Sequence, residues 1–177
     1  MAGYRRLKRH GTEATVNIIR NVMPHLRQQG SGHIINISSN AGYLGFGNAS
    51  SYNAAKFAMV GITEELAQEV KPFGIKTTVV APGQFRTEFM NSIQYVQHRI
   101  PAYGVDEAEK TWSKASGTQP GDPDKLVSIL LKLSEMEEPP LHLLLGPDTY
   151  ELVINKRKEE AAAFEKWRHL TLSTNFE

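Results

Sequence analysis

SNAGYLGFGNASSYNAAK, residues 39–56, decides how the rest of the chain is read. It runs from the end of an apolar strand, His33 to Ser38, into a helix that begins near Ser50. On a helix, side chains four apart stack on one face, so the Tyr52 phenol and the Lys56 ammonium point into one pocket. A phenol releases its proton near pH 10, which is too high for neutral chemistry, but a neighbouring cation favours the phenolate and lowers that value. Ser39 stands thirteen residues before Tyr52, where the strand ends. Its hydroxyl can hold a carbonyl oxygen while Tyr52 gives that oxygen a proton and a hydride arrives from the opposite side. That is carbonyl reduction in outline.

Working outward, a helical stripe of Val16, Ile19, Val22, Met23 and Leu26 precedes the strand, and Gly30-Ser31-Gly32 ends it. Thr12 is placed to cap this helix, and Pro24 is expected to bend it near its end. The six-residue strand reads as buried on both faces, inside a parallel sheet. The helix carrying Tyr52 is predicted to be capped by Ser50 or Ser51, to run to Val70, and to be stopped by Lys71-Pro72-Phe73-Gly74. Ile75 to Ala81 is the next strand. Helix, strand, helix, strand predicts an α/β fold: a doubly wound, Rossmann-like parallel sheet with helices on both faces.

Ile37-Ser38-Ser39, followed by Tyr52-Asn53-Ala54-Ala55-Lys56 with Tyr52 thirteen positions after Ser39, resembles the active site of the short-chain dehydrogenase/reductase family. Val79-Val80-Ala81-Pro82-Gly83-Gln84-Phe85-Arg86-Thr87 resembles the turn that follows in that family, and the likeness is good over roughly residues 14–90. The resemblance implies an NAD- or NADP-dependent oxidoreductase interconverting a carbonyl and an alcohol. Tyr52 would be its general acid or base, Lys56 would lower the phenol's pKa and touch the nicotinamide ribose, and Ser39 would orient the carbonyl, with Ser38 as the fallback. Pro82, Gly83, Phe85 and Thr87 carry over as nicotinamide contacts. It further implies a small-molecule substrate and a homo-oligomer paired through helices 12–29 and 50–70.

Family members begin with a strand, a glycine-rich turn and a helix that hold the adenosine and pyrophosphate. The sequence shows no counterpart, so it reads as the C-terminal two-thirds of a member. The cluster Gly42, Gly45 and Gly47 has the wrong spacing and is expected to be an active-site loop whose glycines allow positive φ. The alternative is a non-catalytic truncated fragment that cannot bind the dinucleotide. Missing strands would also leave the Ile34 strand as an unpaired sheet edge.

Residues 1–11, with Arg5, Arg6, Lys8, Arg9 and His10, read as a basic tail, and 12–177 as the truncated domain. Residues 87–98 and 106–115 are expected to be short helices in a substrate-side segment of about 87–136. Asp122-Pro123-Asp124 opens a clear helix, Leu141 to Gly146 forms the last strand, and Asp148 is expected to cap the final helix. On that helix Tyr150, Val153, Ile154, Ala161, Phe164 and Trp167 mark a buried or partner-facing side.

Composition narrows the function classes. With 177 residues the chain is long enough for one domain with a sizeable core. It has no cysteine, and its six histidines never fall at ligand spacing, so neither a thiolate site nor a metal site is expected. A formal charge of +1 gives no general case for nucleic acid or membrane binding. No apolar run approaches a membrane span, and a cytoplasmic location is expected.

Overall fold

A computed structural model describes residues 11–176. Three parallel strands form the sheet: β1 (Gly32–Ile37), β2 (Ile75–Pro82) and β3 (His142–Leu145), in the order β1-β2-β3. Helix α1 (Glu13–Gln29) leads into β1, and α2 (Ser50–Val70) connects β1 to β2. Between β2 and β3 come α3 (Val105–Lys114) and α4 (Pro123–Glu135). The chain ends in α5 (Pro147–Lys166) and the short α6 (Arg168–Leu172). Ile37 is in register with Val80, and Val80 with Leu143, so the strands present their C-terminal ends together. The α/β class and the parallel sheet are as the sequence predicts.

The alternation of side chains along β2 divides the core. Val79 and Ala81 pack with Tyr43, with Val60 of α2 and with Val153 of α5. Val80, pointing the other way, packs with Leu133 of α4 and Leu145 of β3, joined by Phe85, Leu126 and Leu130. A third cluster, Leu66, Val70 and Ile75, receives Ile19, Met23 and Leu26 from α1. Helices thus cover both faces of the strand, as period-two burial requires. Val16 and Val22 of the same helical stripe are exposed.

β1 departs from the expected burial on both faces. Only Asn36 within it is fully buried, and Ile37 is 44% exposed. The reason is topological: among the described residues β1 pairs with β2 alone and is the edge of the sheet.

Helix boundaries follow the punctuation residues, but several caps do not. Gly30 closes α1 in the left-handed conformation, donating its N–H to the Leu26 carbonyl at 3.0 Å, and Gly74 closes the turn after α2 in the same conformation. Asp122 caps α4, its Oδ1 accepting from the N–H groups of Asp124 and Lys125. Thr12, by contrast, is itself helical and makes no side-chain cap, because a π-type turn at residues 11–12 already winds the chain. Ala49 stands at the N-cap of α2, and neither Ser50 nor Ser51 caps it, since both lie inside the helix. α1 continues through Pro24 to Gln29.

Residues 87–98 do not form the helix expected of them; only the 3-10 turn Met90–Ser92 is regular there. The expected helix at 106–115 is α3. Phe164 of α5 and Trp167 at its C-terminal end are exposed, and Val153 is the residue that side buries. The basic run at residues 1–10 lies outside the described residues. No helix among the described residues is long and apolar enough to cross a membrane, and no group of acidic and histidine side chains there could hold a metal.

Candidate active site

Both Ser38 and Ser39 leave β1 buried, but their hydroxyls do different work. Ser38 Oγ donates to the Lys56 carbonyl at 2.9 Å, tying the end of β1 to the first turns of α2. Its hydrogen is committed to backbone. Ser39 caps the 3-10 turn Asn40–Gly42: its Oγ accepts from the Ala41 N–H at 3.2 Å and donates to Asn40 Oδ1 at 3.0 Å. Ser39 also lies close enough to the Tyr52 phenol to lower its pKa. Of the two serines, Ser39 is the one whose side chain acts on the phenol's pKa.

Gly42 makes this arrangement possible by size, not by φ. A Cβ there would stand 2.5 Å from Ser38 Oγ and 2.8 Å from the Lys56 carbonyl oxygen. None of Gly42, Gly45 and Gly47 has positive φ, contrary to the sequence-based expectation; the left-handed residue of this loop is Asn48, at φ 62°. Asparagine is among the side chains that tolerate that region best.

Tyr52 and Lys56 lie on one face of α2, with the Lys56 Nζ 5.7 Å from the centre of the Tyr52 ring. The ammonium donates to the Ile37 carbonyl at 3.0 Å, which holds it against the end of β1. Burial pushes the Tyr52 phenol above its ordinary value, and the neighbouring Ser39 side chain works in the opposite direction. Burial likewise holds the Lys56 ammonium below its ordinary value. In the chain alone, desolvation outweighs the lowering of the phenol expected from the adjacent cation.

The turn after β2 is stapled to three neighbours. Gly83 N–H donates to the Leu145 carbonyl at 2.8 Å, and Gln84 N–H donates to Asp148 Oδ2 at 2.9 Å. The Gln84 carbonyl accepts from Gly121 N–H at 3.0 Å, while Arg86 N–H returns to the Gly121 carbonyl at 2.9 Å. Pro82 ends β2, the Phe85 ring packs against the Val80–Leu133–Leu145 cluster, and Thr87 is exposed. The register of β1 on β2 sets this turn beside Ser39 at the C-terminal edge of the sheet, where open α/β sheets bind ligands.

Three features escaped the sequence reading. The Phe89 ring lies 5.7 Å from that of Tyr52, tilted by 47°, and walls one side of the phenol. The only prior signal was an aromatic residue two positions past Thr87. Tyr43 reaches His142 of β3, and His142 reaches Glu64 of α2, a chain joining positions too far apart in sequence to be paired by spacing. Asp148 does not cap α5, whose N-cap is Gly146; its carboxylate is turned onto the Gly83–Gln84 turn instead.

Residues 5–97 match the short chain dehydrogenase family. Over 161 residues the chain is 40% identical to oxidoreductase BOA17 of Botryotinia fuckeliana, covering 90% of this chain and 59% of that protein. The crystal structure of a short-chain dehydrogenase from Streptomyces avermitilis superposes with a TM-score of 0.85 at 32% identity, covering 98% of this chain and 64% of that one. A short chain dehydrogenase/reductase from Burkholderia phymatum, solved in complex with NAD, shares the fold with a TM-score of 0.68 at 18% identity and is 54% covered. The chain belongs to the short chain dehydrogenase family and spans less than two-thirds of the length of each of these relatives.

Proposed function

We propose that this chain carries the reacting half of an oxidoreductase that interconverts a carbonyl and an alcohol, with NAD or NADP as hydride carrier. The observation that carries the reading is the meeting of Ser39, Tyr52 and Lys56 at the C-terminal edge of a parallel sheet, beside the Pro82–Thr87 turn. The described residues fit the nicotinamide half of such a cofactor. Lys56 has three donors and spends one on Ile37, and Gly83 brings a bare backbone to the sheet edge. When bound, the cofactor supplies or accepts the hydride.

In the direction of reduction, Ser39 holds the carbonyl oxygen and Tyr52 gives it a proton as the carbon accepts hydride. In oxidation the phenolate takes that proton back. Lys56 supports the charged phenol and is proposed to bind the ribose of the nicotinamide. Pro82, Gly83, Phe85 and Thr87 form the cofactor turn, with the Phe85 ring engaged in the core and its backbone left for contact. The proposal includes a small-molecule substrate, a cytoplasmic location, and pairing of two copies through α1 and α2.

A second reading is a non-catalytic protein in which β1, paired with β2 alone among the described residues, serves as an association edge. Following the absorbance of NADH or NADPH with a panel of ketones and aldehydes tests the enzyme reading. The comparison is between the 177-residue chain and the same chain preceded by a strand, a glycine-rich turn and a helix. Turnover in the extended form supports it; no turnover in either form supports the second reading.

A further inference from the structure

Resting on the nicotinamide assignment of the Pro82–Thr87 turn, we infer that Asp148 is the positioning residue that sets this turn's backbone. Four backbone hydrogen-bond groups of the turn are paired: Gly83 N–H, Gln84 N–H, Gln84 carbonyl and Arg86 N–H. Three of these partners are backbone atoms; the partner of Gln84 N–H is the Asp148 carboxylate. The carboxylate sits so close that a Cβ on Gly83 would come within 2.2 Å of its Oδ1, and one on Gly146 within 2.4 Å. Two glycines thus open the space the acid fills. Asp148 lies in the first turn of the twenty-residue α5, where the helix dipole favours a negative group, and the neighbouring Thr149 is fully buried.

The chemistry explains why an acid stands there. A carboxylate accepts a stronger hydrogen bond from a backbone N–H than a neutral side chain does, and it can hold the turn without adding bulk on the ligand side. Asparagine keeps an acceptor at the same place, whereas alanine removes it and leaves Gln84 N–H without its partner.

Amide hydrogen exchange and NMR shifts of residues 83–87, read on the full 177-residue chain with and without reduced nicotinamide mononucleotide, test the inference. Asp148→Ala is expected to speed exchange at the Gln84 amide by roughly tenfold, the scale of one hydrogen bond. It should also remove the nucleotide-induced shifts of the turn, and Asp148→Asn should restore most of both. Gly83→Ala should perturb the turn in the parent chain and less so alongside Asp148→Ala, because the close contact with the carboxylate is then gone. Unchanged exchange and unchanged shifts in Asp148→Ala would overturn the inference. A wild-type turn that does not respond to the nucleotide would count instead against the nicotinamide assignment, and the exchange result would still decide the clamp.

Discussion

The Tyr43 hydroxyl lies 2.6 Å from Nδ1 of His142, ninety-nine residues away, and the other ring nitrogen lies 3.2 Å from Glu64. A carboxylate only accepts, so in the neutral ring Nε2 carries the hydrogen and the phenol donates to Nδ1. The loop that follows Ser39 is thereby tied to β3 and to α2. Burial, then the charge of Glu64, push the Tyr43 phenol up to about 12, with Arg157 opposing. The folded pKa is raised, so this contribution to stability is complete below the unfolded value near pH 10 and is lost as pH climbs toward about 12. Thermal midpoints taken from pH 9 to 12 are expected to fall, and Tyr43→Phe should flatten that fall while costing stability at neutral pH. Equal slopes in both proteins would show that Tyr43 is not the group responsible.

Gly42→Ala should destabilise the fold and distort the site together. The added methyl meets Ser38 Oγ and the Lys56 carbonyl, and a backbone oxygen has little room to retreat. Overpacking of this kind costs about 1–3 kcal/mol, readable in urea denaturation. A change within experimental error would mean that β1 and α2 are not so tightly joined.

The open edge of β1 predicts association. Among the described residues β1 pairs with β2 alone, so this edge strand, with Ile37 exposed, offers backbone groups to another chain. Ile37→Lys should lower concentration-dependent self-association in sedimentation velocity without lowering the thermal midpoint. If association persists unchanged, another surface mediates it, and the α1–α2 face becomes the one to test.

Lys56→Met separates the electrostatic role of the ammonium from its packing role. On the proposed mechanism the phenolate of Tyr52 is the working form in alcohol oxidation, so the rate should rise as pH climbs through the phenol's pKa. Removing the nearby cation removes what favours that form, and the rising limb should move to higher pH. Burial already disfavours the ammonium, so the variant is not expected to melt earlier. An unmoved limb would make Lys56 a structural residue only.

Much of this arrangement could be read in advance because it rests on local rules. Gly30, Gly74 and Asp122 each end or begin a helix by backbone conformation or side-chain capping within a few residues, and the apolar run at 33–38 announces β1. The four-residue step from Tyr52 to Lys56 gives the shared face directly. What stayed hidden depends on distant partners. The exposure of Ile37 is set by a neighbouring strand absent among the described residues. The roles of Asp148 and His142 are set by contacts at separations of 64 and 99 residues. Asp148 looks like a cap in sequence because it opens a helix, and only the folded turn shows where its carboxylate goes. The serine pair stays alike in spacing, and only the fold shows that Ser38 donates to the Lys56 carbonyl and Ser39 to Asn40 Oδ1.

The central claim is that Tyr52 transfers the proton. Its most direct measurement is the single-turnover rate of carbonyl reduction by Tyr52→Phe, made in the form of the protein that turns over, beside a titration of cofactor affinity. Phenylalanine keeps the ring that packs near Phe89 and removes only the hydroxyl. The account predicts a loss of about 10²- to 10⁴-fold in rate, with cofactor affinity nearly unchanged. Retention of more than about a tenth of the rate would contradict it, since general acid catalysis by this phenol could not then be supplying its usual share.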